Sequence, residues 1–213
     1  MSLVRDYDAW HNRYDDPDSD LSWRLRTVQR YIIDAVDRSS GPLTILSSCA
    51  GDGRDLLGVM ARRDDTHRFR LTLIELHPVL AGRARSSAAV RMPAATVDVR
   101  SIDAGTTDAY AGAVPADLVL LVGIFGNISH DDLARTIAAA PGFCKPGATL
   151  LWSRGRKGND LNDEVRRRFN DAGFRELDYD TLETGSRPAV GAMRYDGEPM
   201  QLEPERRLFT FLR

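Results

Sequence analysis

The 213-residue sequence is poor in several features that mark particular classes of protein. Its two cysteines, Cys49 and Cys144, cannot form a zinc site between them and provide no framework of disulfides. No segment approaches the roughly 20 apolar residues that a membrane-spanning helix requires. The first twenty residues are acidic and lack the apolar stretch of a signal peptide. These absences predict a cytoplasmic protein with no membrane partner.

The sequence also lacks an excess of positive charge. Its 29 Lys and Arg residues are balanced by 31 Asp and Glu residues, for a formal net charge of -2. The one dense basic stretch is 166–168, and the solvated face of a helix accounts for it. Proteins that bind nucleic acids neutralise the phosphates with a basic stripe. A nucleic-acid partner is therefore not expected.

The pattern of apolar residues changes near residue 41. From Leu21 to Val36 they recur every three or four positions, which predicts an amphipathic helix that ends before the breaker at 39–42. After this breaker, candidate strands alternate with candidate helices. The predicted strands are 42–48, 69–76, 95–102, 116–125, 148–154, 174–182 and 206–213.

Strands that alternate with helices pair in parallel, with helices on both faces of the sheet. The last two predicted strands break this rhythm, because the segment between them is rich in Gly and Pro and has no helical pattern. The prediction is an α/β, Rossmann-like seven-stranded sheet, mostly parallel, with an antiparallel last strand and an N-terminal helical extension. Segment 185–199 is expected to roof the ligand site. Residues 1–40 would be a lid and helix, and 41–213 the main domain.

The turn after the first predicted strand indicates a nucleotide-like ligand. A dinucleotide site requires G-x-G-x-x-G, whereas this turn has Gly51 and Gly53 but Leu56 at the third position. Asp52 and Asp55 would also lie beside a pyrophosphate, which favours N–H groups and positive potential. A cationic ligand would tolerate these acids. An NAD-dependent oxidoreductase is therefore a less favoured alternative.

The stretch Ser47-Ser48-Cys49-Ala50-Gly51-Asp52-Gly53 resembles the first motif of class I S-adenosylmethionine (SAM)-dependent methyltransferases, acid-x-Gly-x-Gly-x-Gly. Ser47 replaces the acid and Cys49 the first glycine. The resemblance implies a SAM cofactor at this turn, and contact with its ammonium group would pass to Asp52, Asp55 or the N-terminal segment. The candidate cofactor residues of the turn are Cys49, Ala50, Gly51, Asp52, Gly53 and Asp55.

Positions further along the chain extend the resemblance. Glu75 closes the second predicted strand, where an acid in this family binds the ribose hydroxyls, and Leu76 follows it; a surface glutamate is the alternative. Asp103 and Ala104 follow the third strand, where the family contacts adenine; a helix cap is the alternative for Asp103. Val122 and Gly123 would border the methionine part. The chain is also similar to a group of bacterial methyltransferase-domain proteins of unassigned substrate, which share its "GNIS" and "WSR" stretches.

The sequence says less about the methyl acceptor than about the cofactor. Enzymes that methylate amino groups of bases or of glutamine commonly carry Asn/Asp-Pro-Pro-aromatic after the fourth strand, which this chain lacks. The resemblance therefore implies O- or N-methylation of a small molecule, in specialised metabolism, with a non-catalytic SAM-binding module as a further alternative. The candidate acceptor residues are Trp10, Phe125, Asn127, Trp152 and Arg154. Trp152 is equally compatible with a core position, and Arg154 would bind a carboxylate or phosphate or pair with a surface acid.

A general base is needed only if the acceptor must lose a proton. His130, just after the fourth strand, and His11 are the candidates. His130 is equally explained as a bystander in a helix that Ser129 caps, with Asp132 completing a capping box. His11 belongs to an aromatic segment with Tyr7, Trp10 and Tyr14. This segment either closes over SAM as a lid, with Tyr14 as a candidate cofactor-binding residue, or anchors the chain to the sheet. The oligomeric state is left open.

Overall fold

A computed structural model describes Tyr14 and residues 16–212 of the chain. The helices in this part are α1 (Asp20–Asp37), α2 (Leu56–Met60), α3 (Pro78–Arg91), α4 (His130–Ala139) and α5 (Asn162–Asp171). The strands are β1 (Leu43–Ser48), β2 (Phe69–Ile74), β3 (Thr96–Arg100), β4 (Ala116–Leu121), β5 (Cys144–Gly155), β6 (Phe174–Thr181) and β7 (Pro188–Tyr195).

The seven strands form one sheet in the order β3-β2-β1-β4-β5-β7-β6. Strands β1 to β5 are parallel, and β7 is antiparallel to both of its neighbours, β5 and β6. The chain builds outward from β1 to β3 and then returns to place β4 on the other side of β1. The strand order therefore reverses between β1 and β4, and in open α/β sheets this switch point is where ligands bind.

Helices cover both faces of the sheet because successive side chains of each strand point to opposite sides. Ile45 and Leu118 face a core shared with α1, α2 and α3. Their neighbours Leu46 and Val119 face a second core shared with α4 and α5. The predicted mostly parallel Rossmann-like sheet, with helices on both faces and an N-terminal helix, is confirmed.

Serine residues cap two of the helices. Ser19 caps α1 by accepting a hydrogen bond from the Ser22 N–H at 3.1 Å. Ser129 caps α4 in the same way, accepting from the Asp132 N–H at 3.1 Å. The reciprocal half of the predicted capping box does not form, because Asp132 Oδ2 accepts the N–H of Thr210 in the C-terminal tail instead. The start of α4 is thus held by the tail.

The identity of the last strand was predicted wrongly. The antiparallel strand is β7 at Pro188–Tyr195, within the segment expected to roof the ligand site. The predicted strand 206–213 instead runs along the loops that follow β3 and β4. There it makes isolated bridges between Thr106 and Arg207 and between Ile128 and Phe211.

No helix among the described residues is long and apolar enough to cross a membrane.

Candidate active site

The turn after β1 lies at the switch point and has an unusual backbone. Cys49, Gly51 and Gly53 all have positive φ, at 54°, 60° and 74°. At Gly53 an added Cβ would lie 2.8 Å from the side chains of Leu57 and Leu73, so packing against α2 and β2 requires glycine there. At Gly51 an added Cβ would meet nothing within 4 Å. The turn therefore presents bare backbone to open space at Gly51.

Glu75 fixes this turn from the neighbouring strand. Its Oε2 accepts the Gly51 N–H at 2.8 Å, and its Oε1 accepts the His77 N–H at 2.7 Å. β2 ends at Ile74, so Glu75 is the first residue beyond the strand. Each carboxylate oxygen can accept more than one hydrogen bond, so these two contacts leave Glu75 able to accept from a ligand.

Two exposed apolar side chains lie beyond Glu75, at the ends of adjacent strands. β2 and β3 pair in parallel with Ile74 opposite Arg100. Leu76 and Ile102 each lie two residues past these positions, and they are 61% and 40% exposed. Exposed apolar residues at a strand end suit a flat apolar ring such as a purine. Leu76 was predicted to be part of the site, whereas Ile102 was missed.

Asp103 is held by the C-terminal tail. Its Oδ2 accepts a hydrogen bond from Arg207 Nη1 at 2.6 Å, and its Oδ1 accepts the Gly105 N–H at 2.8 Å. Partial burial favours a higher pKa for Asp103, but the Arg207 guanidinium and the Gly105 N–H hold this pKa below its usual value. The carboxylate shapes a tight turn and does not cap a helix. Arg207 could not be linked to it from sequence, because the two residues are far apart along the chain.

Buried hydroxyl groups connect the end of β1 to the loop that follows β3. Ser48 Oγ and Tyr110 Oη are 2.7 Å apart, and Tyr110 Oη also donates to the carbonyl of Ala104 at 2.7 Å. Tyr110 is fully buried and Ala104 is 4% exposed. The end of β1 is thereby fixed relative to the loop after β3, which preorganises this edge of the sheet.

The two acids of the turn have partners within the protein. The Asp52 carboxylate forms a two-pronged ion pair with Arg54, with Nε and Nη2 donating at 3.0 and 2.6 Å. Asp55 Oδ1 accepts the Leu56 N–H at 2.7 Å and caps α2. Burial raises the pKa of Asp55, which the Leu56 N–H and the nearby Arg24 oppose. The ion pair with Arg54 weakens the hypothesis that Asp52 takes the ammonium group, whereas the Leu56 N–H uses only one oxygen of Asp55.

Tyr14 lies beside the turn. Its hydroxyl accepts a hydrogen bond from Arg24 Nη2 at 2.7 Å, and the Arg54 guanidinium is 4.3 Å from the centre of its ring. Tyr14 also lines an open cavity of about 380 Å³ with Asp52 and Arg83. The other predicted residues of this segment, Tyr7, Trp10 and His11, lie outside the described residues.

A cleft of about 70 Å³ lies beyond the ends of β4 and β5. Four parts of the chain contribute to it: α1, the loop after β4, the end of β5 and the loop before β7. The lining residues are Asp20, Leu21, Arg24, Gly123, Gly126, Asn127, Ser153, Arg154, Gly155, Ser186 and Pro188. The cleft therefore includes the predicted residues Gly123, Asn127 and Arg154.

Two hydrogen bonds order the floor of this cleft. The Gly123 N–H donates to Ser153 Oγ at 2.9 Å, which links the ends of β4 and β5. Asn127 Nδ2 donates to the Gly123 carbonyl at 2.8 Å, which folds the loop back on itself. Gly123 has a φ of 79°, so the loop depends on glycine here.

Asp20 is an acid of the cleft that sequence reasoning missed. It is 6% exposed, and its Oδ2 accepts the Ser186 N–H at 2.9 Å. In the sequence it is the first residue of a helix after a Ser cap, a position where acids are common for the helix dipole alone. That background makes such a residue hard to recognise as part of a site.

Other predicted acceptor residues lie in the core. Trp152 and Phe125 are 0% and 1% exposed and pack against Phe169 and Tyr179. Neither lines the cleft. For Trp152 the structure favours the core alternative, and Phe125, predicted as an acceptor residue, is likewise a core residue.

His130 does not line the cleft either. It is the first residue of α4 and its side chain is 52% exposed. Its Nε2 is 2.8 Å from Glu164 Oε1, and the same oxygen pairs with Arg168. This surface cluster favours the bystander interpretation of His130.

The fold is similar to those of solved enzyme structures that include methyltransferases, although sequence identity is low. Magnesium protoporphyrin IX methyltransferase (ChlM) from Synechocystis, with bound SAM, has a TM-score of 0.68 and 13% identity, over 90% of this chain and 91% of that one. The 1,6-didemethyltoxoflavin N1-methyltransferase of Burkholderia thailandensis has a TM-score of 0.60 and 16% identity, over 90% and 87%. The [4+2]-cyclase SpnF has a TM-score of 0.58 and 17% identity, over 78% and 80%.

No protein-family model and no curated protein matches this sequence.

Proposed function

We propose that the chain is a SAM-dependent methyltransferase that acts on a small molecule. The observation that carries this proposal is the pair formed by Gly51 and Glu75: bare, left-handed backbone beside a carboxylate at the adjacent strand end. The fold supports it, since similar structures include a protein solved with SAM and another solved with S-adenosylhomocysteine.

The residues present fit SAM part by part. Glu75 would accept hydrogen bonds from the ribose hydroxyls, and Leu76 and Ile102 would contact the adenine. Asp103 would accept from the adenine amino group, in a loop that Tyr110 and Arg207 hold in place. Gly51, Val122 and Gly123 would border the methionine part. The carboxylate of Asp20, which is buried and lines the cleft, would take the ammonium group.

When bound, SAM supplies a methyl group on a positively charged sulfur, which becomes a neutral thioether once the methyl has left. The chain has to hold the acceptor atom in line with this methyl group and keep water away. The cleft beyond β4 and β5 is the part suited to the acceptor, because it adjoins Gly123. The acceptor provides the electron pair for the new bond, and its proton, where it has one to lose, leaves to solvent.

The finer parts of this proposal rest on the sequence. Substrates named for the structural neighbours, a protoporphyrin and a didemethyltoxoflavin, are small molecules, which supports an acceptor of that class. A role in specialised metabolism, a cytoplasmic location and the division into a lid with helix (1–40) and a main domain (41–213) are proposed with it. SpnF is a cyclase, so the fold alone does not decide the reaction.

Calorimetry with S-adenosylhomocysteine tests the cofactor assignment. We expect binding in the micromolar range and none for NADH. Glu75→Ala should weaken the binding of S-adenosylhomocysteine about tenfold or more, since a hydrogen bond to a charged group contributes about 1.5–3 kcal/mol. Unchanged affinity would refute the ribose assignment, and NADH binding would favour the oxidoreductase alternative.

Asp98→Ala is the matched control. Asp98 is a half-exposed carboxylate on β3 that pairs with Arg100, so its loss should change the affinity by less than about twofold. Because Glu75 also holds the Gly51 and His77 N–H groups, thermal unfolding of Glu75→Ala shows whether the turn has been disturbed. Glu75→Gln, which keeps an acceptor oxygen, should fall between the two.

Transfer of radiolabelled methyl groups to an extract of the source cells tests the reaction itself. A labelled small product that requires the protein is expected. Binding of S-adenosylhomocysteine without any labelled product would favour the non-catalytic SAM-binding module.

A further inference from the structure

Arg154 differs from neighbouring arginines in what its guanidinium contacts. It lies near the end of β5 and is partly buried. Its Nη1 donates to two backbone carbonyls, those of Gly155 at 3.0 Å and Asn159 at 2.9 Å. Its Nε is buried and has no hydrogen-bond partner, and it forms no ion pair with any described residue.

Arg156, two residues further along, provides the contrast. Its Nη2 donates to Glu183 Oε1 and to the carbonyl of Leu182, so its charge is matched by a carboxylate. Arg156 does not line the cleft, whereas Arg154 does. The Nε atoms of both arginines are buried without a hydrogen-bond partner, so the two side chains differ in the ion pair. Arg156 has one with Glu183, whereas Arg154 has none with a described residue.

A partly buried cation without a carboxylate is costly to the folded protein. Burial lowers the pKa of Arg154, and the carboxylates of Asp160 and Glu164 oppose this effect only in part. The guanidinium offers a planar fork of donors that matches a carboxylate or phosphate. A bound anion would supply the missing negative charge.

The shape of the cleft allows an acceptor to reach this group. An added Cβ at Gly126 would meet only the Gly155 nitrogen, at 3.9 Å. The loop after β4 therefore offers open space beside the end of β5. Gly123, Gly126 and Gly155 contribute backbone without side chains to the lining of the cleft.

The charge of Arg154 favours a singly charged anion. This residue lines the cleft and has no ion pair with a described residue, so it leaves one positive charge unmatched. A carboxylate supplies one negative charge, whereas a doubly charged phosphate monoester exceeds it. Building on the proposed function, we propose that the methyl acceptor carries a carboxylate group and that Arg154 binds it.

The test uses the intact protein saturated with S-adenosylhomocysteine and three small probes: benzoate, phenyl phosphate and benzamide. Calorimetry should show saturable binding of benzoate, with benzamide about tenfold weaker or more because it lacks the charge. In nitrogen-15 NMR spectra the Arg154 Nε–H signal, identified by its absence in Arg154→Met, should shift as benzoate binds. Tighter binding of phenyl phosphate than of benzoate would overturn the assignment to a carboxylate.

Arg154→Met and Arg156→Met form a matched pair of variants. Arg154→Met should weaken benzoate binding about tenfold or more, the loss expected for one charge-assisted hydrogen-bonded pair. Arg156→Met should leave it within about twofold. Equal benzoate affinity of Arg154→Met and the unmodified protein would overturn the proposal. The NMR shift in the unmodified protein decides the matter even if Arg154→Met folds poorly.

Failure of this inference is distinguishable from failure of the proposed function. Absence of S-adenosylhomocysteine binding by the unmodified protein would contradict the proposed function. Binding of S-adenosylhomocysteine without binding of benzoate would contradict only the carboxylate proposal. If Arg154→Met weakened S-adenosylhomocysteine itself, Arg154 would belong to the carboxylate of the cofactor, which also overturns the proposal.

Discussion

The residue that departs most from the motif it resembles is Cys49. It holds a φ of 54°, a conformation that costs a residue with a Cβ about 1–2 kcal/mol relative to a right-handed one. Glycine avoids that cost, which explains why the motif has glycine at this position. The side chain of Cys49 packs against the core beside Tyr110, so part of the cost is offset by burial.

Cys49→Gly is expected to leave both stability and S-adenosylhomocysteine affinity nearly unchanged. Relief of the left-handed strain and loss of the packed thiol oppose each other and are each about 1 kcal/mol. Cys49→Val should destabilise the protein by about 1–2 kcal/mol, since a β-branched side chain is the least compatible with positive φ. Urea unfolding of the two variants measures the difference, and equal loss of stability would contradict this account of the turn.

The Cys49 thiol is expected to be unreactive near neutral pH. Burial and the nearby negative charges of Glu75 and Asp103 raise its pKa to about 12. The thiolate is the reactive form, so the rate of alkylation by iodoacetamide should rise about tenfold per pH unit over the whole stable range of the protein. Labelling of the unfolded protein is the positive control. A rate that levels off below pH 9 would show that the thiol has a lower pKa.

At the scale of elements, the C-terminal tail has an irregular backbone but links two loops of the domain by hydrogen bonds. The Leu208 N–H donates to the Gly105 carbonyl at 2.8 Å, and the Leu212 N–H donates to the Asn127 carbonyl at 2.9 Å. Gly105 must be glycine here, since an added Cβ would lie 2.3 Å from the Phe209 carbonyl oxygen. The tail thus joins the loop after β3 to the start of α4.

Phe209→Ala and Phe211→Ala should separate the buried part of the tail from the exposed part. Phe209 is 1% exposed, and its truncation is expected to cost about 3–5 kcal/mol of unfolding free energy. Phe211 is 42% exposed and should cost less than about 1 kcal/mol. Urea denaturation measures both. Similar losses for the two variants would mean that the tail is not anchored through Phe209.

The tail and β7 also show where sequence reasoning about this fold reached its limit. The parallel core was predictable, because β1, β2 and β4 are short apolar runs bounded by turns and helices. β7 was missed because Gly191 interrupts its pattern. That glycine is required by Trp152 of the neighbouring strand, whose indole would lie 2.4 Å from an added Cβ. The tail was predicted as a strand because it contains the apolar residues Leu208 and Phe209. These side chains are buried in the core, but the tail does not pair as a strand of the sheet.

The residues of the candidate site likewise divide into those that could be predicted from the sequence and those that could not. Gly51, Glu75 and Asp103 were predictable because they lie in local motifs at the ends of strands. Asp20 and Arg207 were not, because they reach the site through the packing of α1 and the tail, which no local pattern records. Long-range contacts of this kind are set by the tertiary structure.

At the scale of the whole molecule, α1 connects the N-terminal segment to both parts of the site. Asp20 and Arg24, one turn apart, line the cleft, and Arg24 also binds the Tyr14 hydroxyl. The Ser22 hydroxyl donates to the Tyr14 carbonyl at 3.1 Å, and the Arg54 side chain covers the Tyr14 ring. Tyr14 is thereby tied to the helix and to the glycine turn. This arrangement supports the proposal that the preceding residues form a lid over SAM.

Deletion of residues 1–13 tests the lid while keeping Tyr14 and the Ser19 cap of α1. The lid proposal expects a cooperatively folded protein whose S-adenosylhomocysteine affinity falls about tenfold or more, because SAM would lose its cover from water.

Tyr14→Phe, which removes only the hydroxyl that Arg24 binds, should have a smaller effect on affinity. Deletion of residues 1–18, which leaves Ser19 in place but removes Tyr14, should add a loss of stability. Hydrogen exchange in residues 1–18 should slow when S-adenosylhomocysteine binds. Exchange that is indifferent to the ligand, together with a deletion variant that loses stability but keeps its affinity, would establish the anchor alternative instead.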